Sequence, residues 1–486
     1  MFQQLKRLAG HSGIYGMGLL GSRIAALVLT PMFLHVMSRA EYGVMELLNN
    51  LSSMLTSVLI LGAAGVLPKV YSCDCESDDE RKEMLSSILA FSIVMSGLLI
   101  VFSWLFAEAV SKLLFAQTGY ASLVRLAAAS SGILVTQNMI MIFLRVKQWP
   151  LKFLIVSLLQ VAIMMALNVY LVGFRHEGVF GVQVASVISC AVSFCVGLYM
   201  VRAYLVAALS SRLVRSVLKL SIPLIPAAVA PWVLNVSDRY FLNSYVGLAQ
   251  TGLYAAGYKL AMTGMNLLIN AFQLSWGPFF FGHNDDAEIR RLCSTVLKYY
   301  CLILCGFALL FSVFASDILR LISKREFWSA GWMVPYIALS YVLYGIQFYT
   351  VPLFIRMDHG KWLSVIMGGA AVTNLVLNWL LIPRFGIVGA VASTLVCFGL
   401  LCIVTIAVSV RIFYVEYDYS ALAKVFGTSI VLFVLFHSIP GYTVAALLLK
   451  TLVIPAFLAS LAILRFFEPT AVRAAMVKLK ILKEYA

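Results

Sequence analysis

Charge is what this sequence has least of. Only 12% of its 486 residues are charged, against 62% hydrophobic, whereas an ordinary soluble domain is about 25% charged and about 45–50% apolar. A water-soluble fold of this length could not supply the polar coat its surface demands, so the apolar excess must face lipid. Acidic residues are scarcer than basic ones, 21 against 36, and the six histidines are scattered in no metal-binding pattern. There is no GxxxxGK[ST] loop, no HExxH, no GxSxG and no GxGxxG between a strand and a helix. That absence excludes the common phosphate-loop, metalloprotease, serine-hydrolase and dinucleotide chemistries, and the chain reads as a non-enzyme without a cofactor. Long loops are missing too, so neither a soluble domain nor the external domain of a membrane polymerase fits. The net charge of +15 forms no dense basic run, which argues against nucleic acid as a partner. No cleavable signal peptide is evident; the apolar stretch from Gly13 is too long and reads as a retained span. Most of the nine cysteines lie in apolar segments, for example Cys190, Cys301 and Cys397, and read as small packing residues. Cys73 and Cys75 fall in a loop expected to be cytoplasmic, where a disulfide is not expected.

What the sequence does have is room for many spans, since about 20 apolar residues cross a bilayer core. Fourteen can be drawn, approximately 13–37, 43–67, 86–110, 119–144, 153–173, 180–201, 220–241, 252–281, 294–316, 330–355, 362–383, 386–410, 421–438 and 443–464. The weakest are the second, with Glu46, Asn49 and Asn50, and the seventh, with three prolines. The longest connection, Pro68 to Ser86, holds the acidic run Asp74 to Glu83. With the N-terminus inside, Arg39, Lys112, Arg175, Arg239, Arg320, Lys324, Arg325 and Arg384 fall in outer loops, and Arg23, Arg125, Lys259 and Lys450 within spans. The remaining 24 basic residues lie inside. This satisfies the positive-inside rule and predicts both termini in the cytoplasm.

The chain also repeats itself. LNVYLVGFRHEGVFGVQVAS from Leu167 echoes LNWLLIPRFGIVGAVAST from Leu377, with Gly178 and Gly181 matching Gly386 and Gly389 at an offset of 208. Phe33-Leu34 recurs as Phe241-Leu242 at the same offset, Tyr42-Gly43 aligns with Thr251-Gly252, and Phe143-Leu144-Arg145 matches Phe354-Ile355-Arg356 at 211. A unit of six helices, an even number, enters from the same side twice. The expected architecture is therefore an all-α, polytopic membrane protein of two parallel six-helix lobes. Residues 1–210 form the first lobe, 211–415 the second, and 416–486 two extra helices with a basic cytoplasmic tail.

Ionisable groups at membrane depth are costly and mark candidate sites. Arg23 is the deepest, near the middle of its span, and either contacts substrate or is a structural Arg that snorkels or pairs with a carboxylate such as Glu46. Lys259 and Arg125 lie six or seven residues in, and each either lines a cavity or snorkels to the interface. Glu46 and Asn50, four apart, share a helix face, and Asn50 corresponds to Lys259 in the repeat. Their stripe either faces a cavity or is a hydrogen-bond ladder between helices. Asp238, beside Arg239, is either a coupling carboxylate or a helix-end anchor. Lys450, near the end of a helix outside the repeat, reads as a lipid-headgroup anchor. Gly18 and Gly21 interrupt the first helix where Pro223, Pro226 and Pro231 interrupt its counterpart, and paired breaks of this kind point to hinges. Close helix packing at the glycines is the competing reading.

Three stretches carry a family resemblance: LTPMFLHVMSRAEYGVMELLNNLSSML from Leu29 with its PxxxxxxSxxEYG pattern, SDRYFLNSYVGLAQTGLYAAGYKL from Ser237, and NLVLNWLLIPRFGIVGAVASTL from Asn374. Together they resemble Wzx-type polysaccharide flippases, of the superfamily that also holds multidrug exporters and lipid II flippases. The resemblance implies a MATE-like two-lobe fold in the bacterial inner membrane and alternating access driven by an H+ or Na+ gradient. It implies a cationic cavity for the pyrophosphate of an undecaprenyl-linked oligosaccharide destined for surface polysaccharide such as O-antigen. Arg23 would meet the pyrophosphate first, supplemented by Lys259 and Arg125, with Glu46 and Asp238 as coupling carboxylates. Membrane lipids and polysaccharide polymerase or assembly proteins are the implied partners. An ion-coupled exporter of small cationic drugs is the alternative, and such a site would need more acid than these spans contain.

Overall fold

The computed structural model describes residue 21 and residues 25–467, apart from 61–62, 72–76, 208, 223–224, 284 and 440–442. Arg23, Gly18, Pro223, Cys73 and Cys75 lie outside the described residues, and so does the basic tail beyond residue 467. Everything described is helical or a short connection. In order, the elements are α1 (Ala25–Val36), α2 (Arg39–Leu59), the short α3 (Ala63–Lys69), α4 (Asp78–Phe115), α5 (Ala121–Val146) and α6 (Pro150–Asn168), which widens into a π-helix over Val169–Phe174. There follow α7 (Gly178–Val201), α8 (Ser211–Ser221), α9 (Ile225–Val246), α10 (Leu248–Phe281) and α11 (Asp286–Ile322). The chain ends with α12 (Val334–Arg356), α13 (Gly360–Phe385), α14 (Ile387–Ile412), α15 (Tyr419–His437), α16 (Val444–Thr451) and α17 (Val453–Ile463).

Ten helical stretches among the described residues are long and apolar enough to cross a membrane. The segments expected to span but not among these ten are α1, described only from Ala25, and α2, α9 and α10. They are the first two helices of each expected repeat. Their polarity comes from residues such as Glu46 and Asn50 on α2 and Ser237 to Arg239 on α9.

Local chemistry sets the helix limits. Ser38 caps α2, its hydroxyl accepting from the Glu41 amide at 3.2 Å while the Glu41 carboxylate accepts from the Ser38 amide at 2.8 Å, a reciprocal box. Ser77 caps α4, its hydroxyl accepting from the Glu80 amide at 3.1 Å. Asp78, Asp79 and Glu80 then form that helix's first turn, where negative charge meets the positive helix end. The acidic run expected in a loop thus belongs largely to a helix. At 38 residues α4 is about 57 Å long, far more than the hydrocarbon core, so its acidic end stands clear of it. The expected fourteenth span is two helices, α16 and α17. Pro455 cannot continue the hydrogen-bond ladder and clashes with the carbonyl four residues back, at Thr451, where α16 ends.

Packing divides the chain into two compact units: residues 1–255 with 322–327 and 371–390, and residues 256–321, 328–370 and 391–486. In the first unit α5 is the inner helix, against α4, α7 and α2. Small hydroxyl residues let it pack closely. Ser96 of α4 donates to the Gly132 carbonyl at 2.7 Å and lies 3.2 Å from the Thr136 hydroxyl. The second unit is filled with rings instead. Tyr258 and Tyr341 meet at 3.2 Å through their hydroxyls, Tyr344 stacks on Phe398, and Trp276 donates to the Tyr349 carbonyl at 2.8 Å.

Corresponding turns recur. Lys147, Gln148 and Trp149 donate to the carbonyls of Phe143, Arg145 and Leu144. Met357, Asp358 and His359 donate to those of Leu353, Ile355 and Phe354, every pair shifted by 210 residues. Gln148 and Asp358 are both left-handed, at φ 54° and 56°. The backbone register is therefore 210 here, one less than the side-chain match of Phe143 to Phe354. Asn168 and Asn378, also 210 apart, are both fully buried. After them the three-residue connection 175–177 stands against the single Gly386, and the offset falls to the 208 of the glycine matches.

Two matched glycines, Gly43 and Gly252, stand against each other within the first unit. A Cβ on Gly43 would fall 2.4 Å from the Leu248 carbonyl oxygen, and one on Gly252 still closer to that of Arg39. Here α2 and the start of α10 touch backbone to backbone, as small residues allow in membranes. Gly43→Ala is expected to cost about 1–3 kcal/mol through overpacking, read as a lowered melting temperature in detergent. Gly427→Ala, where a Cβ meets open space, is expected to leave it unchanged.

Candidate functional site

The first unit contains a cavity of about 370 Å³ walled mainly by hydroxyl and amide residues. From α2 it takes Asn49, Ser52, Ser53, Thr56 and Ser57, which recur at helical spacing along one face. Ser130 and Ser131 come from α5, Gln160 from α6, and Gln183 and Ser186 from α7; Leu134, Met164 and Cys190 complete the wall. No lining residue is charged. Gln137 of α5 donates to Gln160 at 2.8 Å, and Gln160 approaches the Cys190 sulfur at 3.6 Å, fixing one wall. Gln183 is buried, and its amide nitrogen has no hydrogen-bond partner among the described residues. An orphan donor in a buried wall is expensive unless a guest or water accepts from it. A cavity of this size lies within the range of small-ligand sites. The sequence reading missed it because Ser and Gln residues at membrane depth carry no charge to draw attention. The signal was the stripe at 49, 52/53 and 56/57.

Glu46 lies one turn before this stripe and is buried. Asn50, on its face, is half-buried, and its amide nitrogen has no partner among the described residues. The Asn50 carbonyl accepts from the Trp232 indole at 3.1 Å, and Tyr240 donates to the Leu47 carbonyl at 3.1 Å. These two bonds pin α9 to α2. Neither Glu46 nor Asn50 lines the cavity.

Asp238 was expected at the end of a span, but α9 continues two turns beyond it to Val246. Asp238 and Arg239 are both almost fully buried and form an ion pair at 3.7 Å. Tyr254 donates to Asp238, and Arg239 donates to the Asn235 carbonyl at 2.7 Å. One residue earlier, Ser237 donates to Asn374 at 3.0 Å, and Asn378 donates to both. Such a set is stable only when its members stay paired.

The remaining candidates are dispersed. Arg125 is half-buried, with its guanidinium 5.1 Å from the ring of Trp104, an outward-facing residue 65% exposed. It does not line the cavity. Lys259 is half-buried on α10 in the second unit. Gly21 would bring a Cβ to 3.0 Å from Leu158, a close approach to α6. Helix α9 runs without a break through Pro226 and Pro231, and Asn235 donates to the Pro231 carbonyl at 2.7 Å. Lys450, expected to anchor a headgroup, is instead buried in the second unit. It pairs with Asp317 of α11 at 2.6 Å, the two side chains only 7% and 9% exposed. The second unit also has an apolar cavity of about 350 Å³, walled by residues such as Leu309, Tyr336, Leu395 and Phe433.

Residues 9–282 match the family model described as polysaccharide biosynthesis protein. No curated protein matches the chain. Among solved structures, lipid II flippase MurJ in an inward closed conformation is similar, with a TM-score of 0.75 at 15% identity, covering 93% of this chain and 98% of that one. An inward-facing multidrug resistance MATE family transporter of the MOP superfamily gives 0.65 at 15% identity, covering 85% and 95%. A mutant of the Vibrio cholerae MATE transporter VcmN gives 0.55 at 16%, covering 84% and 96%. At this identity the likenesses establish the fold alone, an all-α, multi-span membrane fold like that of these transporters.

Replacing Lys450 by Met is expected to strand the Asp317 carboxylate and cost about 3–5 kcal/mol, whereas the double change Asp317→Leu/Lys450→Met recovers most of it. Thermal unfolding in detergent measures both.

Proposed function

Because this chain belongs to the polysaccharide biosynthesis protein family, we propose that it is an alternating-access flippase for undecaprenyl-pyrophosphate-linked oligosaccharides. On this reading it is a transport protein and not an enzyme. It would lie in the bacterial cytoplasmic membrane as fourteen spans in two six-helix lobes, residues 1–210 and 211–415, followed by two further helices. Both termini would be cytoplasmic, and the oligosaccharides would feed surface polysaccharide. The observation that carries the reading is the hydroxyl- and amide-lined cavity. A sugar is a neutral body covered in hydroxyls, each both donor and acceptor. Ser, Thr, Asn and Gln meet both roles, whereas an apolar wall would leave every sugar hydroxyl unsatisfied. Gln183 supplies a free donor inside that wall. The turns recurring at 210 residues support the paired lobes, since two like halves are what alternating access rocks against each other. The flippase that shares the fold acts, by its name, on lipid II.

Arg23 is assigned to the pyrophosphate, because a guanidinium grips phosphate oxygens in two places. Lys259 and Arg125 are its supplements and Asn50 a polar contact. Glu46 and Asp238 are the carboxylates for H+ or Na+ coupling. The helices with Gly18, Gly21, Pro223, Pro226 and Pro231 would bend during the cycle. Export of small cationic drugs is less favoured, because the cavity wall holds no carboxylate to neutralise a cation.

The test is transbilayer movement of a fluorescent polyprenyl-pyrophosphate oligosaccharide in proteoliposomes. Gln183→Leu and Ser131→Leu are expected to slow it about tenfold or more, since each strands a sugar hydroxyl at about 1–3 kcal/mol. Arg23→Ala is expected to abolish it, with Arg23→Lys partly active. Resistance of cells to cationic dyes should not change. Wild-type protein that expels such dyes while leaving the lipid-linked sugar in place would overturn the reading.

A further inference from the structure

Two features of the first unit that transport leaves unused lie on the side that the charge bias assigns to the cytoplasm. The first is α8, of sequence SRLVRSVLKLS. Arg212, Arg215 and Lys219 follow one another at helical spacing and are exposed, while Val217 is buried and Val214 and Leu218 are half-buried. The apolar residues close a small gap with Leu59, Ile60 and Ile88. The segment leading into α8 is tied to α4, where the hydroxyls of Ser86 and Ser87 accept from the amides of Val206 and Ser210 at 2.8 Å each. Eleven residues reach only about 16 Å, too short to span, and a basic amphipathic helix beside spans belongs in the headgroup layer.

The second feature is a nest of rings holding cations. Tyr71, Phe143, Trp149 and Tyr204 pack edge to face or tilted, with centroids 5.2–6.2 Å apart. The Lys147 ammonium stands 4.7 Å from the Tyr204 ring and 5.4 Å from Tyr71, and that of Lys152 is 3.7 Å from Trp149. Lys152 also lies 3.5 Å from the Met200 carbonyl. Asp78 and Asp79, in the first turn of α4, are paired with Arg81 and Lys82. Among the described residues no carboxylate comes within salt-bridge distance of Lys147, Lys152 or the three α8 cations. Ring-held cations facing an interface, with no carboxylate partner among the described residues, are suited to an anion whose other end is apolar.

We propose that this end of the first unit is a binding site for anionic phospholipid, such as phosphatidylglycerol, of the inner leaflet. Lys147 and Lys152, oriented by the rings, contact the phosphodiester oxygens of one lipid. Arg212, Arg215 and Lys219 hold the neighbouring headgroups and thereby seat α8, the helix that leads into α9. The inference rests on the orientation given above and not on the identity of the transported sugar.

Full-length protein is purified in detergent and titrated with phosphatidylglycerol, phosphatidylcholine or inorganic phosphate, with thermal stabilisation and retained lipid in native mass spectra as readouts. Phosphatidylglycerol is expected to stabilise and stay bound, and phosphatidylcholine and millimolar phosphate are not. Lys147→Ala/Lys152→Ala and Arg212→Gln/Arg215→Gln/Lys219→Gln are each expected to weaken phosphatidylglycerol about fivefold per cation removed. Lys147→Arg/Lys152→Arg is expected to keep it, which separates lost binding from lost folding. Equal stabilisation by the two lipids, phosphate acting as well as phosphatidylglycerol, or undiminished affinity in both neutralised variants would overturn the assignment. None of these readouts requires transport, so a failure of the flippase reading is seen separately.

Discussion

A polar group within the hydrocarbon layer has no water to fall back on, and must find its partner in protein or in cargo. The packing of the first unit follows from that constraint. Ser96 bonds across to α5, Trp232 and Tyr240 bond across to backbone carbonyls of α2, and Ser237, Asn374 and Asn378 close a set of their own. Each such bond draws two helices to a fixed register, which dispersion between apolar faces alone would leave free to slide. The Asp238–Arg239 pair with Tyr254 is the most demanding case, since losing any one member leaves a buried charge exposed to hydrocarbon.

The two units meet the same constraint differently. In the first, Ser, Thr and Gln residues of α2, α5, α6 and α7 wall a cavity. In the second, tyrosines and tryptophans fill the interior, and Trp276 spends its indole on Tyr349 and Tyr258 its hydroxyl on Tyr341. The backbone scaffold is nevertheless shared: the three-bond turn after α5 recurs after α12 at 210 residues. A repeated backbone carrying two different linings explains why side-chain matching drifted by one residue there while the hydrogen bonds did not. The cavity walled by hydroxyl and amide residues lies in the first unit, and the apolar cavity, along α11, α12, α14 and α15, in the second.

Much of the fold could be read from residue types alone. Apolar runs locate the ten strongly hydrophobic spans, because transfer into lipid depends on composition summed along a segment and not on neighbours. Glycine matches at 208 located the helix starts at Gly178 and Gly386, both left-handed at φ 54° and 55°, a conformation glycine adopts without strain. The site was less legible. Arg125 and Lys450 were both noticed for their charge, yet one rests on the outward-facing Trp104 and the other is sealed in a pair with Asp317. A charge at depth announces that it needs a partner, but not which one.

Composition and periodicity by themselves determined that this is a multi-span helical membrane protein with recurring segments, because hydrophobicity acts segment by segment. Tertiary structure alone decided which helix faces meet. Ser53 of α2, Ser131 of α5, Gln160 of α6 and Gln183 of α7 are far apart in sequence and unremarkable singly. Only the packing of four helices turns them into one cavity, because the direction of a side chain around a helix axis has meaning only relative to its neighbours.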